Sequence, residues 1–236
     1  DPMTSLNPVF TIGNQLGEAI RLHTNRKGKE VRQRAIEMLE LVGINEPEKR
    51  IRQYPFELSG GMRQRVMIAM ALACEPDILI ADEPTTALDV TIQAQILELM
   101  QDLQKKLGMA VILVTHDLGV IADMCDNIIV MYGGRICERG TAREIFYNPK
   151  HEYTKGLLRS IPNVNNMKKK LVPIAGTPIN MLNLPAGCAF CTRCDAAMKI
   201  CLEQHPEEMS INENHKAACW INVRDQLQAE GGEGNV

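Results

Sequence analysis

The chain has 236 residues and a mass of 26.3 kDa, enough for one domain or for one domain with an appendage. Apolar residues make up 45% of it and charged residues 23%, which excludes disorder and collagen-like repeats for the bulk of the chain. The net charge of −3 argues against a nucleic-acid partner, and the longest apolar run, residues 66–74, is too short to span a bilayer. The chain opens without a basic start or an apolar signal region, so we expect a cytosolic protein unless a membrane partner holds it.

The first part of the chain is predicted to be mainly helix and loop. Apolar residues at helical spacing predict a helix over 31–42, which Gly43 ends. Further on, Ser59 precedes two glycines and the apolar run 66–74, a pattern typical of a loop that opens a buried helix. Pro76 ends that helix.

Two predicted strands follow, with a helix between them. The apolar run within 77–84 ends abruptly in two acids and predicts a buried parallel strand. Apolar residues at helical spacing predict a helix over 92–107, and 110–114 is predicted as a second buried strand that ends just before His116. This alternation indicates an α/β fold with a largely parallel sheet.

The next elements are short. We predict a helix over 118–124 and a hairpin of strands 128–132 and 135–140 across two glycines. Thr141 and Glu144 have the spacing of a capping box and therefore predict the start of a short helix.

After Pro149 the regular pattern is lost. Residues 151–186 predict an irregular extension, and the lysine run at 168–170 predicts a solvated face. Five of the eight cysteines then fall between 188 and 219. Disulfides are rare in the cytosol, so this density favours metal binding. The glycine-rich end at 230–236 predicts disorder.

Acidic residues and a histidine follow the two predicted strands. Asp82 and Glu83 end the first strand, and His116 follows the second. Ligands bind beyond the carboxyl ends of strands in open α/β sheets, where one acid can hold Mg²⁺ and another can orient an attacking water. Taken alone, the two acids are equally consistent with capping the next helix. The Ser-Gly-Gly at 59–61 lies at the start of a predicted helix, where backbone N–H groups without a partner can bind an anion such as a phosphate.

Four motifs in order resemble those of ABC-type ATPases. They are Leu-Ser-Gly-Gly-Met-Arg-Gln-Arg (58–65), Ile-Leu-Ile-Ala-Asp-Glu-Pro-Thr (78–85), Ala-Leu-Asp (87–89) and Val-Thr-His-Asp (114–117). They correspond to the signature, Walker B, D-loop and switch-histidine motifs. The segments at 1–8, 54–57 and 87–95 resemble the dipeptide/oligopeptide permease ATPases, and within them the D-type subunit. The resemblance covers the chain to about Trp220.

The resemblance implies a fold, a function and partners. The fold is a partial ABC-type ATPase domain, a helical subdomain plus part of a largely parallel sheet core, with an irregular C-terminal cysteine-rich extension. The function is ATP binding and hydrolysis, energising an importer of di- or oligopeptides. The partners are a second ATPase subunit (an F-type subunit or a second copy), two transmembrane permease subunits and, indirectly, an extracytoplasmic peptide-binding protein. The expected location is peripheral, on the cytoplasmic face of the membrane.

It also implies roles for single residues. Glu83 is the general base or water-orienting acid, Asp82 supports Mg²⁺, and His116 senses the γ-phosphate. The residues that contact the ATP held by the opposite subunit are Ser59, Gly60, Gly61 and Gln64. Asp89 links the two sites across the dimer. The surface toward the permease is roughly 1–75.

The sequence departs from the family in one respect. The phosphate loop Gly-x-x-x-x-Gly-Lys-[Ser/Thr] occurs nowhere in these 236 residues. We expect roughly the first hundred residues of a family member to lie upstream, by the usual domain size. We therefore expect that this chain alone neither binds ATP tightly nor hydrolyses it, and that its sheet exposes apolar surface.

The cysteines divide into two groups. Three of them, Cys74, Cys125 and Cys137, fall in or beside apolar elements and are predicted to be core residues. The later five fit a tetrahedral zinc site, with His205 and His215 as possible further ligands, or a [4Fe–4S] cluster, or unmetallated thiols or disulfides.

The stretch Cys-Ala-Phe-Cys-Thr-Arg-Cys (188–194) resembles the start of the peptide-permease C-terminal extension. Some members of that group carry a [4Fe–4S] cluster there. The resemblance implies as ligands Cys188, Cys194, Cys201 and Cys219. Cys191 departs from the family pattern and is a possible substitute ligand.

Four segments are expected: 1–75 as the helical and signature subdomain, 76–149 as the Walker B to switch-histidine part of the core, 150–221 as the extension, and 222–236 as a disordered tail. Two other functions stay open. One is a non-transport ABC ATPase, although those usually lack such an extension. The other is a metal-cluster module on an inactive remnant, against which the presence of Glu83 and His116 argues.

Overall fold

The computed structural model describes residues 5–86, 88–161 and 173–231. The lysine run at 168–170, part of the motif at 87–89 and the end of the predicted tail lie outside the described residues. The chain divides into two compact units, Asp1–His116 and Asp117–Val236.

Helices open the first unit. They are α1 (Ile12–His23), α2 (Lys29–Leu41), α3 (Pro47–Arg50), a 3-10 turn (Pro55–Glu57) and α4 (Gly60–Leu72). Helices α1, α2 and α4 contact one another. On α1 the buried residues Ile12, Leu16 and Ile20 are four apart, so they lie on one face of the helix and form part of this core.

A β-α-β segment completes the first unit. Strand β1 (Ile78–Asp82) pairs in parallel with β2 (Ala110–Val114), and helix α5 (Val90–Leu107) connects them. The order and the parallel pairing confirm the prediction for this segment. Both strands therefore end at the same edge, where Asp82 lies opposite Val114.

The prediction that these strands are buried is correct for one residue of β1 only, and β2 contains no buried residue. Leu79 is buried, whereas Ile78 and Ile80 of β1 and Ile112 and Val114 of β2 are exposed. Their alternate spacing and the parallel register place these four side chains on one face of the pair. The predicted exposure of apolar sheet surface is thus confirmed.

The second unit contains the remaining elements. They are α6 (Leu118–Met124), β3 (Asn127–Tyr132), β4 (Arg135–Thr141), α7 (Ala142–Tyr147), α8 (Glu152–Arg159), a 3-10 turn (Cys191–Arg193), α9 (Lys199–Glu203), β5 (Met209–Asn212), β6 (His215–Ala217) and α10 (Trp220–Gly231). The strands form an antiparallel sheet in the order β3-β4-β6-β5. The predicted hairpin is present, but a largely parallel sheet is wrong for the described residues, where only β1 and β2 pair in parallel.

The cysteine-rich extension is less irregular than predicted, because β5 and β6 join the hairpin. Three aromatic rings connect these parts. Tyr132 of β3 lies 4.7 Å from Tyr153 of α8 and 5.3 Å from Phe190, centroid to centroid. Phe190, beside the first cysteines of the extension, shares this buried cluster with Cys137 of β4. The extension therefore has an apolar core in common with the hairpin.

Helix α10 lies largely inside the segment for which we predicted disorder. It runs from Trp220 to Gly231. The composition signal came from glycines at its end, whereas the residues 221–230 contain neither glycine nor proline and include good helix formers. Among the described residues, no helix is both long enough and apolar enough to cross a membrane.

Candidate functional site

Glu83 lies directly after β1 in an unusual backbone conformation. Its φ angle is 45°, in the left-handed region that residues with a side chain seldom adopt. The backbone N–H of Glu83 donates to the carbonyl oxygen of Val114, at 2.8 Å, which ties it to the end of β2. Thr86 secures the following turn, since its N–H donates to the Glu83 carbonyl. Non-glycine residues in strained conformations concentrate at functional sites.

The carboxylate of Glu83 and the imidazole of His116 form a pair. Glu83 Oε1 lies 3.0 Å from His116 Nδ1, and Glu83 Oε2 accepts a hydrogen bond from the Thr86 hydroxyl at 2.9 Å. Both hydrogen bonds lower the pKa of Glu83, and the one from His116 has the larger effect. The carboxylate is therefore ionised at neutral pH. The His116 side chain is 81% exposed and that of Glu83 46%, so both are open to a ligand.

The signature segment begins helix α4. Ser59 is the N-cap, and its hydroxyl oxygen accepts the N–H of Met62 at 3.3 Å. Gly60 and Gly61 form the first helical positions, where free N–H groups and the helix dipole favour an anion. Gln64 is buried one turn on, and no described residue bonds to its Oε1.

The signature helix meets the start of α5 through its glycines. A Cβ atom at Gly61 would lie 2.8 Å from Cγ2 of Ile92, so a side chain at this position would force Ile92 to move. Asp89 caps α5 by accepting the N–H of the same Ile92, at 3.0 Å. Leu88, before the cap, is the nearest side chain to Gly60. Sequence reasoning named Gly61 and Asp89 but missed Ile92, which joins them, because its spacing indicated only a core position.

Five cysteines of the second unit line one small cavity. They are Cys188, Cys191, Cys194, Cys201 and Cys219. The N–H of Cys188 donates to the Cys201 carbonyl at 2.8 Å, which holds the two segments together. All eight cysteines are free thiols, and burial raises the pKa of Cys188 to about 11. Cys137, predicted as a core residue, is buried in the aromatic cluster.

The cavity does not have the form of a metal site. Among the described residues, no three His, Cys, Asp or Glu side chains are arranged to hold a metal ion. The cavity volume is about 20 Å³, room for about one water molecule. The thiol set suits a thiolate-bound metal, but a [4Fe–4S] cluster does not fit this cavity as it stands.

Neither predicted additional ligand lines this cavity. His215 is fully buried and its Nε2 lies 2.7 Å from Oε1 of Glu138. His205 is not among the lining residues, although its neighbour Pro206 is. The histidine that does line it is His151, whose Nδ1 accepts the N–H of Tyr153. His151 is the N-cap of α8, whose first residue is Glu152, and this capping position is a sequence signal that was not used to find it.

Comparison with known proteins agrees with these features. Residues 4–86 match the ABC transporter family, and residues 137–201 match the C-terminal region of oligopeptide/dipeptide transporters. The structure of cbiO1 from Clostridium perfringens, described as part of the ABC transporter complex cbiONQ, is 32% identical, with a TM-score of 0.55 over 63% of this chain and 57% of that one. The dimeric structure of MJ0796, a bacterial ABC transporter cassette, is 34% identical, with a TM-score of 0.51 over 59% and 60%. The fold is thus that of the α/β ABC ATPases.

Proteins of similar sequence show to which group of the ABC transporter family the chain belongs. The chain is 53% identical over 221 residues to the dipeptide transport ATP-binding protein DppD of Bacillus subtilis (strain 168), covering 94% of this chain and 66% of that protein. It is 53% identical to OppD, the oligopeptide transport ATP-binding protein of the same strain, covering 98% and 64%. A putative peptide import ATP-binding protein of Brucella abortus (strain 2308) is 53% identical, with 93% and 67% covered. The chain spans about two thirds of the length of these relatives, and it belongs to the oligopeptide/dipeptide group of the ABC transporter family.

Proposed function

We propose that this chain is the ATP-binding and ATP-hydrolysing subunit, of the D type, of an importer for di- or oligopeptides. The observation that carries the proposal is the Glu83–His116 pair at the common end of β1 and β2. The family membership supports the solute class, since the relatives are named for dipeptide and oligopeptide transport.

Within the site, Glu83 orients and deprotonates the attacking water. The hydrogen bonds from His116 and Thr86 lower the pKa of Glu83 and keep it as an acceptor. His116, largely exposed beside it, contacts the γ-phosphate. Asp82, the exposed last residue of β1, supports Mg²⁺, which neutralises phosphate charge when it is bound.

The signature segment acts on the nucleotide of a second ATPase subunit. Ser59, Gly60 and Gly61 present the N-terminus of α4 to its phosphates, and Gln64 lies behind them. Asp89 links the two sites across the dimer. The contact between Gly61 and Ile92 supports this role, because it joins the signature helix to the helix that Asp89 caps.

Substitution of Glu83 tests this function in the product of the intact gene. Glu83→Gln keeps the size but removes the negative charge, so we expect ATP hydrolysis to fall by about 10²-fold or more, with ATP binding retained. Glu98→Gln, an exposed position on α5, is the matched control and should hydrolyse at the wild-type rate. A Glu83→Gln protein with more than a tenth of wild-type turnover would contradict the assigned role.

The partners follow from the same assignment. They are an F-type ATPase subunit or a second copy, two transmembrane permease subunits at the cytoplasmic face of the membrane and, indirectly, an extracytoplasmic peptide-binding protein. The helical part of the first unit faces the permease. Co-purification from membranes with tagged permease subunits, and its loss in their absence, is the direct test.

We also propose that the thiol cavity holds a metal centre, a [4Fe–4S] cluster or a zinc ion. The set of thiols around one cavity supports it. The ligands are Cys188, Cys194, Cys201 and Cys219, or Cys191 in place of one. The centre would stabilise the extension, and the cavity would have to widen for a cluster.

Measurement of the iron and zinc content of the purified protein tests whether the cavity holds a metal centre and which metal it is. After anaerobic purification, Cys201→Ser should lose its iron or zinc, whereas Cys125→Ser, at a half-buried thiol away from the cavity, should keep it. Equal metal content in both variants, or none in the wild type, would refute the centre without touching the ATPase proposal.

A further inference from the structure

A groove of about 390 Å³ lies where the helices of the first unit meet its β-α-β segment. It is lined by the second half of α2, the end of α4, the chain that enters β1 and the last residue of α5. The whole of β1 lies between this groove and Glu83, because Asp77 precedes the strand and Glu83 follows it, a span of roughly 15–20 Å. The groove contains none of the residues assigned to the nucleotide.

The floor of the groove is apolar. Met38 and Leu41 are three positions apart on α2 and therefore share one face of that helix. Met38 and Leu72 are buried, Leu41 is half-buried, and the side chain of Leu107 at the end of α5 is 47% exposed. The groove thus offers an apolar surface that the described part of the first unit leaves partly uncovered.

Carboxylates outnumber guanidinium groups at the rim of the groove. Arg34 lies 3.0 Å from Oε1 of Glu75 and 3.6 Å from Oε2 of Glu37, and Arg26 pairs with the same oxygen of Glu75 at 2.8 Å. The third carboxylate of the rim, that of the exposed Asp77, has neither an ion pair nor a hydrogen bond within the part of the chain that the structure describes. The rim therefore carries a negative charge that these arginines do not neutralise.

The free carboxylate and the exposed apolar side chain lie at the same end of the groove. The backbone N–H of Ala110 donates to the carbonyl oxygen of Asp77 at 2.9 Å, which ties the start of β1 to the chain that leaves α5. Leu107 is only three residues before Ala110. Ligand sites commonly combine an apolar surface with a few polar groups that fix the orientation of the ligand. This end of the groove is complementary to a cation that is attached to an apolar group.

We propose that this groove binds a small molecule in which a primary ammonium group adjoins an apolar side chain, and that this molecule is a short peptide bound through its N-terminal residue. The ammonium group pairs with Asp77, and the apolar side chain covers Leu41 and Leu107. The bound peptide contacts the end of α4, which begins with the signature segment, and the start of β1, which leads to Glu83. The inference rests on the proposed function in one respect, the choice of a peptide as the source of the ammonium group.

Binding of dipeptides to the product of the intact gene, purified without permease subunits, tests the proposal. Saturation-transfer difference NMR should show binding of the dipeptide Leu-Leu, and Asp77→Asn should weaken it about fivefold, the upper range for an exposed ion pair. N-acetyl-Leu-Leu lacks the ammonium group and Gly-Gly lacks the apolar side chains, so each should bind at least about fivefold more weakly than Leu-Leu. The control Asp102→Asn makes the same change at an exposed position of α5 outside the groove and should bind like the wild type.

The other outcomes separate this site from its alternatives. Equal binding of Leu-Leu and N-acetyl-Leu-Leu to the wild type, or of Leu-Leu to the wild type and Asp77→Asn, would overturn the site. Isoamylamine has the ammonium group and the apolar chain without a peptide bond, and its binding in the absence of Leu-Leu binding would overturn the peptide as the ligand.

The rate of ATP hydrolysis, measured on the same preparations, distinguishes this proposal from the proposed function. A wild type that hydrolyses ATP but does not bind Leu-Leu contradicts the groove alone. A wild type that binds Leu-Leu but does not hydrolyse ATP contradicts the proposed function. Without peptide, Asp77→Asn should hydrolyse ATP at the wild-type rate, because the whole of β1 separates Asp77 from Glu83.

Discussion

Glu138 of β4 is a buried side chain with three hydrogen-bond partners, and its removal tests the structure of the second unit. Its carboxylate is fully buried. It accepts the backbone N–H of Lys150 at 2.6 Å, that of His151 at 2.9 Å, and a hydrogen bond from His215 Nε2 at 2.7 Å. These bonds connect β4 to the turn before α8 and to β6, so one side chain joins three parts of the unit.

The loss of stability expected for Glu138→Ala follows from the hydrogen-bond donors that lose their acceptor. The truncation strands buried donors, and each unsatisfied donor costs about 1–3 kcal/mol. We therefore expect Glu138→Ala to lower the free energy of unfolding of the second unit by about 4 kcal/mol, a large part of the stability of a typical domain.

The chain contains a single tryptophan, Trp220, and it lies in the second unit. Its indole N–H donates to the carbonyl of Gln204 at 2.9 Å, so its fluorescence reports the unfolding of this unit in urea. Glu213→Ala, at an exposed carboxylate in the turn between β5 and β6, is the control and should stay within about 0.5 kcal/mol of the wild type. A loss of less than 1 kcal/mol in Glu138→Ala would refute the buried network.

Two further predictions use the same fluorescence. Burial, the largest cause, lowers the pKa of His151 to about 4 from 6.5, so between these values the unfolded chain binds the extra proton. The stability that this group contributes is complete above about pH 6.5 and is lost as the pH falls toward 4. The variant His151→Asn keeps a side-chain acceptor for the helix cap but cannot bind a proton. In buffer with a metal chelator, its free energy of unfolding, followed by Trp220 fluorescence, should depend less on pH than that of the wild type. An equal pH dependence in the two proteins would disprove the contribution of His151. The second prediction concerns Gly187, where a Cβ would overlap the carbonyl oxygen of Cys201. Gly187→Ala should lower the unfolding free energy by about 1–3 kcal/mol, whereas the exposed neighbour Ala186→Ser should not, and equal stability of the two would contradict the close approach.

The sequence was sufficient wherever a signal is local. Ser59 and Thr141 cap helices as their spacing predicts, because the capping hydrogen bond joins residues only three apart. The motif order also placed Glu83 and His116 at the ends of adjacent strands, and the structure pairs them across 33 positions of the chain. Parallel strands end at one edge, so this contact follows from the element order alone.

The second unit could not be predicted in the same way. Strands β5 and β6 have four and three residues, too few for a period-2 pattern to be recognised. The pairing of β6 with β4 and of β5 with β6 joins segments far apart in the chain or too short to show a signal. The sequence offered His215 as a metal ligand. The structure buries it against Glu138, 77 residues away, where each satisfies the other's need for a partner.

The sequence by itself thus determined the class of this protein, the starts of α4 and α7 and the positions of its family motifs, since each of these depends on a short run of residues. Only the tertiary structure decided which side chains meet over long distances. It gathered five cysteines around one cavity and joined Gly61 to Asp89 through Ile92. The physical reason is that burial and hydrogen-bond satisfaction act on the folded chain as a whole, and no short window of sequence records them.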